Sequence, residues 1–202
     1  MKALIVVDVQ NDFLLNGNLA VKDANNIIPG INNLIASDFT DVIVFTKDFH
    51  PATHKSFASQ HPGRAVFDVV DLGGVDQTLW PDHCIQETSG SEFPPDLEVP
   101  EWSHLIFKGL DKEVDSYSAF YDNNNKNPSG LTDYLKDLGI TKVAICGLAF
   151  NLCVMFTALD AKKDGFEVSV IENLCKSVII NPGDHEAAKN TMIANGIAVI
   201  EI

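Results

Sequence analysis

The sequence holds no apolar run approaching the roughly 20 residues that a bilayer-spanning helix requires. Its first residues, Met-Lys and then a strand-like run ending in acid, lack the small-residue cleavage pattern of an export signal. The final Val-Ile-Glu-Ile carries no receptor-read address. A cytoplasmic setting is the resulting expectation. Cysteine is scarce, with only Cys84, Cys146, Cys153 and Cys175 in 202 residues, and in a chain without an export signal these are expected to be thiols rather than disulfides. Positive charge is in deficit. Fourteen Lys and Arg stand against 28 Asp and Glu, a net charge of -14, which argues against nucleic acid or an anionic membrane as partner. There is no internal repeat and no low-complexity tract. The Asn-rich run at 123–127 is short and polar and reads as a surface loop.

What is present is enough apolar residue, 46% of the chain, to build a sizeable core in a single domain spanning 1–202. Continuous β-branched runs at 3–7 and 42–46 suit strands buried on both faces, and shorter apolar runs at 105–107, 143–146, 167–171 and 197–200 add four more. Between them lie helical spacings. In 24–36 the apolar positions are Ile27, Ile28, Ile31, Leu34 and Ile35, with Pro29 near the start, and 129–138 opens with Ser129 as a plausible N-cap. A third helix opens at Cys153, and a fourth covers 184–195. Strand and helix alternate, so the expected fold class is α/β, a three-layer α/β/α arrangement around a mostly parallel six-stranded sheet. The exception is the segment at about 55–103. Its five prolines and weak periodicity predict an irregular insertion that folds over the sheet edge and serves function.

Ligands in such sheets bind beyond the carboxyl ends of the strands. Those ends carry Asp8, Asp48 with His50, Lys108, and the turn leading to Cys153. Taken singly, each has an ordinary explanation. An Asp after a strand often turns a loop, a Lys there is usually solvated, and a free Cys is often a small core residue. Jointly, an acid, an acid–imidazole pair, a base and a thiol at four strand ends are harder to explain that way. A cysteine in the first turn of a helix is expected to have a depressed thiol pKa. Asp48-x-His50, followed by His54, offers a carboxylate and imidazoles suited to Zn, Fe or Mn. Trp80-Pro81-Asp82-His83-Cys84 supplies a further imidazole and a thiol. His61 and His185 have no company in sequence, and His104 falls at the start of a strand.

In chain order, Asp8-Val-Gln-Asn-Asp-Phe13, the KDFHPATHKSFASQHPG run, WPDHC, KG followed by VDSYSAFYDN, and GLAFNLCV resemble the successive signatures of the nicotinamidases, members of the isochorismatase-like cysteine hydrolases. The resemblance runs nearly end to end. It implies the Rossmann-like fold of that family and a metal-dependent amidase converting nicotinamide to nicotinate and ammonia through a thioester, with pyrazinamide as an alternative amide and NAD salvage as the role. It implies Cys153 as nucleophile, Asp8 as general base and acid, and Lys108 as the third member of a triad. Asp48, His50 and His83 become ligands of a divalent metal, zinc first, that holds the pyridine nitrogen. His54 matches a histidine that serves in the family as a ligand or through water. Phe13 and Trp80 are similar to aromatic walls around the ring. A cis peptide before Ala149 would aim the N–H groups of Ala149 and Cys153 into an oxyanion hole. One residue departs from the pattern. Asn151 stands where the family usually carries an acid, and as a good helix N-cap it is expected to keep a capping role. The alternatives are a relative acting on carbamoyl, ureido or isochorismate substrates, and a non-catalytic protein that kept the fold. The metal cluster argues against the first and the intact triad against the second. Self-association into a homo-oligomer is left open.

Overall fold

The computed structural model describes all 202 residues. Its centre is a sheet of six parallel strands: β1 (Lys2–Val7), β2 (Val42–Asp48), β5 (His104–Lys108), β6 (Lys142–Leu148), β7 (Glu167–Lys176) and β8 (Ala198–Ile200). Their spatial order is β5-β2-β1-β6-β7-β8. The chain therefore winds outward from β1 in one direction, returns to β6, and winds out in the other. The reversal lies between β1 and β6, where a crevice opens at the strand carboxyl ends. The central strands have continuous apolar cores because both faces are covered. Ala3 through Val7 are all fully buried. The helices α1 (Ile28–Ile35), α2 (Leu131–Asp137), α3 (Met155–Lys163) and α4 (Asp184–Ala194) alternate with the strands and complete the layers. No helix is long and apolar enough to cross a membrane.

The strands run further than their apolar cores. β2 continues through Lys47 to Asp48, and β5 begins at His104 and ends on Lys108, so the polar ends of the runs are still held in the ladder. Asp48 pairs with Lys108 in register, which sets two chemically active residues side by side. Between β6 and β7 the register slips at Ile145/Gly147. Gly147 there has φ +113°, and a Cβ on it would sit 2.1 Å from the Val7 carbonyl oxygen, so only glycine fits this approach to β1.

The long segment after β2 is more ordered than its composition suggests. It contains an antiparallel hairpin, β3 (Val69–Leu72) and β4 (Val75–Thr78), turned by Gly73 and Gly74. Its short strands mix Val and Leu with Asp, Gln and Thr, and their burial does not follow apolar character (Val69 is exposed, Gln77 buried), so they leave no clear period in the sequence. The segment is then stitched back along its own start. Ala58 N–H donates to the Trp80 carbonyl (2.9 Å), Trp80 N–H to that of Ser56 (2.8 Å), and His50 N–H to that of Cys84 (3.0 Å). These bonds bring Trp80 and His83 over the end of β2.

Candidate active site

Asp8 is the first residue beyond β1 and has φ +48°, which turns its side chain under the ends of β2 and β5. It is completely buried. Its N–H donates to Thr46 Oγ1 (3.1 Å), and the Thr46 hydroxyl donates to Asp8 Oδ1. Asp8 Oδ2 lies 2.9 Å from Lys108 Nζ but makes no aligned hydrogen bond, so its charge is countered while its lone pair remains open. Burial pushes the Asp8 carboxyl up to about 6, aided by the nearby charge of Asp48 and opposed by Lys108 and Thr46.

Lys108 is the hub. Its ammonium also contacts Asp48 Oδ1 (2.5 Å), the Ser116 carbonyl (3.0 Å) and Cys153 Sγ (3.7 Å). Burial alone would lower its pKa. The carboxylates of Asp48 and Asp8 outweigh that and hold the ammonium well above its usual range. The same exchange, seen from the other side, drives Asp48 well below the carboxylate range: burial works upward, but Lys108 and the imidazoles of His50 and His83 prevail. Carboxylate oxygens of Asp8 and Asp48 and the sulfur of Cys153 all lie within 4.8 Å of one another.

Cys153 is reached through a wide turn. The peptide Leu148–Ala149 is cis, and Phe150–Val154 form one turn of π-helix before α3 begins at Met155. The expected α-helical start at Cys153 is thus displaced by two residues. The expected depression of the thiol pKa is overturned as well. Cys153 is 7% exposed, and burial lifts its thiol well above the usual range. Lys108 pulls in the other direction, but the charges of Asp8 and Asp48 oppose it and the proton stays on sulfur. Desolvation and two carboxylates outweigh one lysine and a short helix dipole here.

Beside this trio lies a donor set of different chemistry. His50 Nε2 and His83 Nε2 approach Asp48 Oδ2 at 3.7 and 3.8 Å, and the donor atoms of the three residues fall within 4.8 Å of one another. Each ring is fixed from behind, since His50 Nδ1–H donates to the Gly109 carbonyl (3.1 Å) and His83 Nδ1–H to that of Pro81 (2.8 Å). A carbonyl can only accept, so in the neutral rings both Nε2 lone pairs are bare and face the carboxylate. That is the outer-shell arrangement metal-binding histidines use, and the set fits a divalent cation. His54 stands one ring away, 4.4 Å from His50 between centroids, fully buried, with Nδ1 against Ser56 and Nε2 without a partner. Its ring groups with His50 and Asp115, outside the Asp48 set. Cys84 is a fully buried core residue whose N–H is held by Asp12 Oδ2 (2.7 Å).

A small cavity joins the two clusters. Phe13, Trp80, Asp48, His83, Ala149 and Cys153 all line it, so sequence candidates from every part of the chain share one hollow. Several residues there were given no role from sequence. Tyr117, inside the VDSYSAFYDN run, lines the cavity, and its hydroxyl accepts from Trp80 Nε1 (3.0 Å) and Gln77 Nε2 (2.8 Å), which fixes the indole. Gln10, inside the first motif, donates Nε2 to the Asp48 carbonyl (2.7 Å) and accepts from the Asp48 N–H (2.8 Å). Thr46 is an inconspicuous strand residue, and only the fold reveals it under Asp8.

Two expectations about lone residues change. Asn151 makes no cap, since its side chain reaches sideways to Val178, which satisfies the amide better than the turn's own N–H groups could. His185 does have company: Ser177 Oγ at 2.7 Å, Glu172 Oε1 at 3.0 Å, and the Phe150 ring stacked on it at 4.2 Å. His61 lies at the surface near the backbone of Lys55 (2.7 Å), and His104 starts β5, stacked on Tyr134.

Comparison with known proteins gives a consistent picture. The chain is 46% identical over 195 residues to a nicotinamidase of Acinetobacter baylyi, covering 96% of this chain and 90% of that protein. Among solved structures it is similar to the nicotinamidase and pyrazinamidase of Acinetobacter baumanii (TM-score 0.95, 47% identity, 99% of this chain and 95% of that one). It is also similar to a pyrazinamidase of Pyrococcus horikoshii solved in complex with zinc (TM-score 0.81, 36% identity, 100% and 99%). The family model for the isochorismatase domain matches residues 2–202. This chain belongs to the isochorismatase domain family.

Proposed function

We propose that the chain is a nicotinamidase, hydrolysing nicotinamide to nicotinate and ammonia and accepting pyrazinamide, in the service of NAD salvage. The observation that carries this reading is the cavity lined by the Cys153 thiol, by Asp48 and His83 of the two-imidazole, one-carboxylate set and by two aromatic rings, with the Lys108 ammonium 3.7 Å from that thiol and the open Asp8 carboxylate 2.9 Å from the ammonium. Asp48, His50 and His83 would hold a divalent cation, zinc by the donor set, which supplies an electrophilic anchor for a ring nitrogen. Phe13 and Trp80 flank the ring and exclude water.

Because burial keeps Cys153 protonated, the sulfur needs a base at the moment of attack. Asp8 Oδ2, with its open lone pair, takes the thiol proton as sulfur bonds to the amide carbon. Lys108 touches both partners, so the negative charge that moves from carboxylate to sulfur stays beside one ammonium throughout. The N–H groups of Ala149 and Cys153 receive the oxyanion, a contribution of about 2.7–4 kcal/mol per donor in comparable sites. The Asp8 carboxyl then gives its proton to the leaving nitrogen, and ammonia departs from the thioester. Asp8, again a carboxylate, draws a proton from water as its oxygen attacks the thioester; nicotinate leaves and the thiol is restored.

Ammonia release from nicotinamide by the purified chain tests the function, and added hydroxylamine, which diverts a thioester to the hydroxamate, tests the covalent step. Cys153→Ala is expected to keep fold and bound metal and lose turnover. Near-normal activity in that variant would remove Cys153 from its role.

A further inference from the structure

The turn that carries Cys153 is tied to a segment that no step of the chemistry uses. Asn151 Nδ2 donates to the Val178 carbonyl (2.7 Å), and the Val178 N–H donates to Asn151 Oδ1 (3.1 Å). One side-chain amide thus satisfies both backbone groups of a single residue in the loop between β7 and α4. An amide suits this because it donates and accepts at once, whereas a carboxylate accepts but cannot donate and an apolar side chain does neither. The neighbouring residue repeats the link by other means: Phe150 stacks on His185, which holds Ser177, the residue before Val178. Val178 itself lines the cavity together with Leu152 and Cys153, while the next two residues, Ile179 and Ile180, are exposed. Without the amide, the carbonyl and N–H of Val178 would turn to solvent and the cavity would lose a fixed wall.

We propose that Asn151 is a positioning residue that sets the Val178 wall relative to the nucleophile and thereby governs which ring sizes the cavity admits. This rests on the carboxamide-hydrolase reading above. Asn151 touches neither the reacting atoms nor the triad, so its effect falls on ground-state fit rather than on the chemical step. Unmaking this half-buried two-bond contact is expected to raise KM for nicotinamide about tenfold in Asn151→Ala, with kcat within about threefold of wild type. Preference for nicotinamide over a ring-methylated nicotinamide should fall in parallel. Asn151→Asp, nearly isosteric, should show the same loss, because its carboxylate faces the Val178 carbonyl without a proton to share. Val178→Ala should relax the same preference, and the double variant Asn151→Ala/Val178→Ala should go no further than Val178→Ala alone.

Amide hydrogen exchange at Val178 supplies a readout that does not depend on turnover: slow in wild type and at least about tenfold faster in Asn151→Ala. Wild-type KM and ring preference in both Asn151 variants, additive effects in the double variant, or unchanged exchange at Val178 would each overturn the proposal. If wild type releases no ammonia from nicotinamide, the functional reading fails instead, and the exchange comparison alone decides whether Asn151 holds the wall.

Discussion

Replacing Lys108 with methionine keeps the length of the side chain and removes the charge that two buried carboxylates share. The side chains of Asp8, Asp48 and Lys108 are 0%, 6% and 1% exposed, so water cannot take over. Breaking a buried pair by deleting one partner costs about 3–5 kcal/mol, most of it the uncompensated charge left behind. For a chain of this size each kcal/mol lowers Tm by about 2–4 °C, so Lys108→Met should melt about 6–20 °C below wild type. The comparison is made in chelator, so that no cation substitutes for the ammonium. It also has a pH signature. In wild type, burial holds the Asp8 carboxyl at about 6 against an ordinary 3.8. Without Lys108 it rises further. A carboxyl whose folded pKa lies above its unfolded one favours the folded state below the unfolded pKa and loses that advantage as pH climbs through the folded one. The deficit of the variant should therefore be smallest near pH 4 and widen above about 6. Lys108→Met/Asp8→Asn should recover part of the loss, because the orphaned charge is gone. Melting within about 2 °C of wild type, or a deficit indifferent to pH, would refute the view of Lys108 as the electrostatic hub of the site.

Two further outcomes follow from local geometry. Gly109 has φ +64°, and a Cβ on it would lie 2.2 Å from His50 Cε1, so Gly109→Ala must displace the imidazole that its own carbonyl orients. Divalent metal affinity should fall about 10–100-fold, read by elemental analysis and metal titration, and an unchanged affinity would mean that His50 is not a ligand. At Glu172, burial pushes the carboxyl up, but Lys189 and His185 outweigh it and leave the pKa below its ordinary 4.5. A depressed carboxyl stabilises the fold above its unfolded pKa and loses that contribution as pH falls through the folded value. Wild type should thus lose stability below about pH 4.5 more steeply than Glu172→Gln, and parallel melting curves for the two would exclude the contribution.

The parts of the molecule that were legible in sequence share a cause. Strands buried on both faces must be apolar without interruption, so 3–7 and 42–46 announce themselves, and the polar residue that ends each run is then known to lie at the sheet's carboxyl edge. That is why Asp8, Asp48 and Lys108 could be named before any coordinates. The turn at Phe150–Val154 was not legible, since a π-turn uses the same residue types as an α-turn and differs only in where its hydrogen bonds close. The raised pKa of the thiol was not legible either, since its position relative to the helix is visible in sequence while its burial beside two carboxylates is not. The hairpin at 69–78 went unseen because its short strands carry no apolar alternation. Asn151 and His185 find their partners in loops that are 27 and 8 residues away in sequence, where no local periodicity could reveal them.

Gln10 has a consequence for the shape of the crevice. The ladder between β1 and β2 stops at Val6–Phe45, and beyond it the two strands would part with their backbone groups unmet. The Gln10 carboxamide fills that gap as a detachable rung, answering both main-chain groups of Asp48 and reaching across to the Ser91 carbonyl (2.8 Å). A sheet normally keeps its strands at one spacing. Here a side chain carries the bracing past the last ladder pair, so the acid of one strand and the acid of the next are held on a common frame.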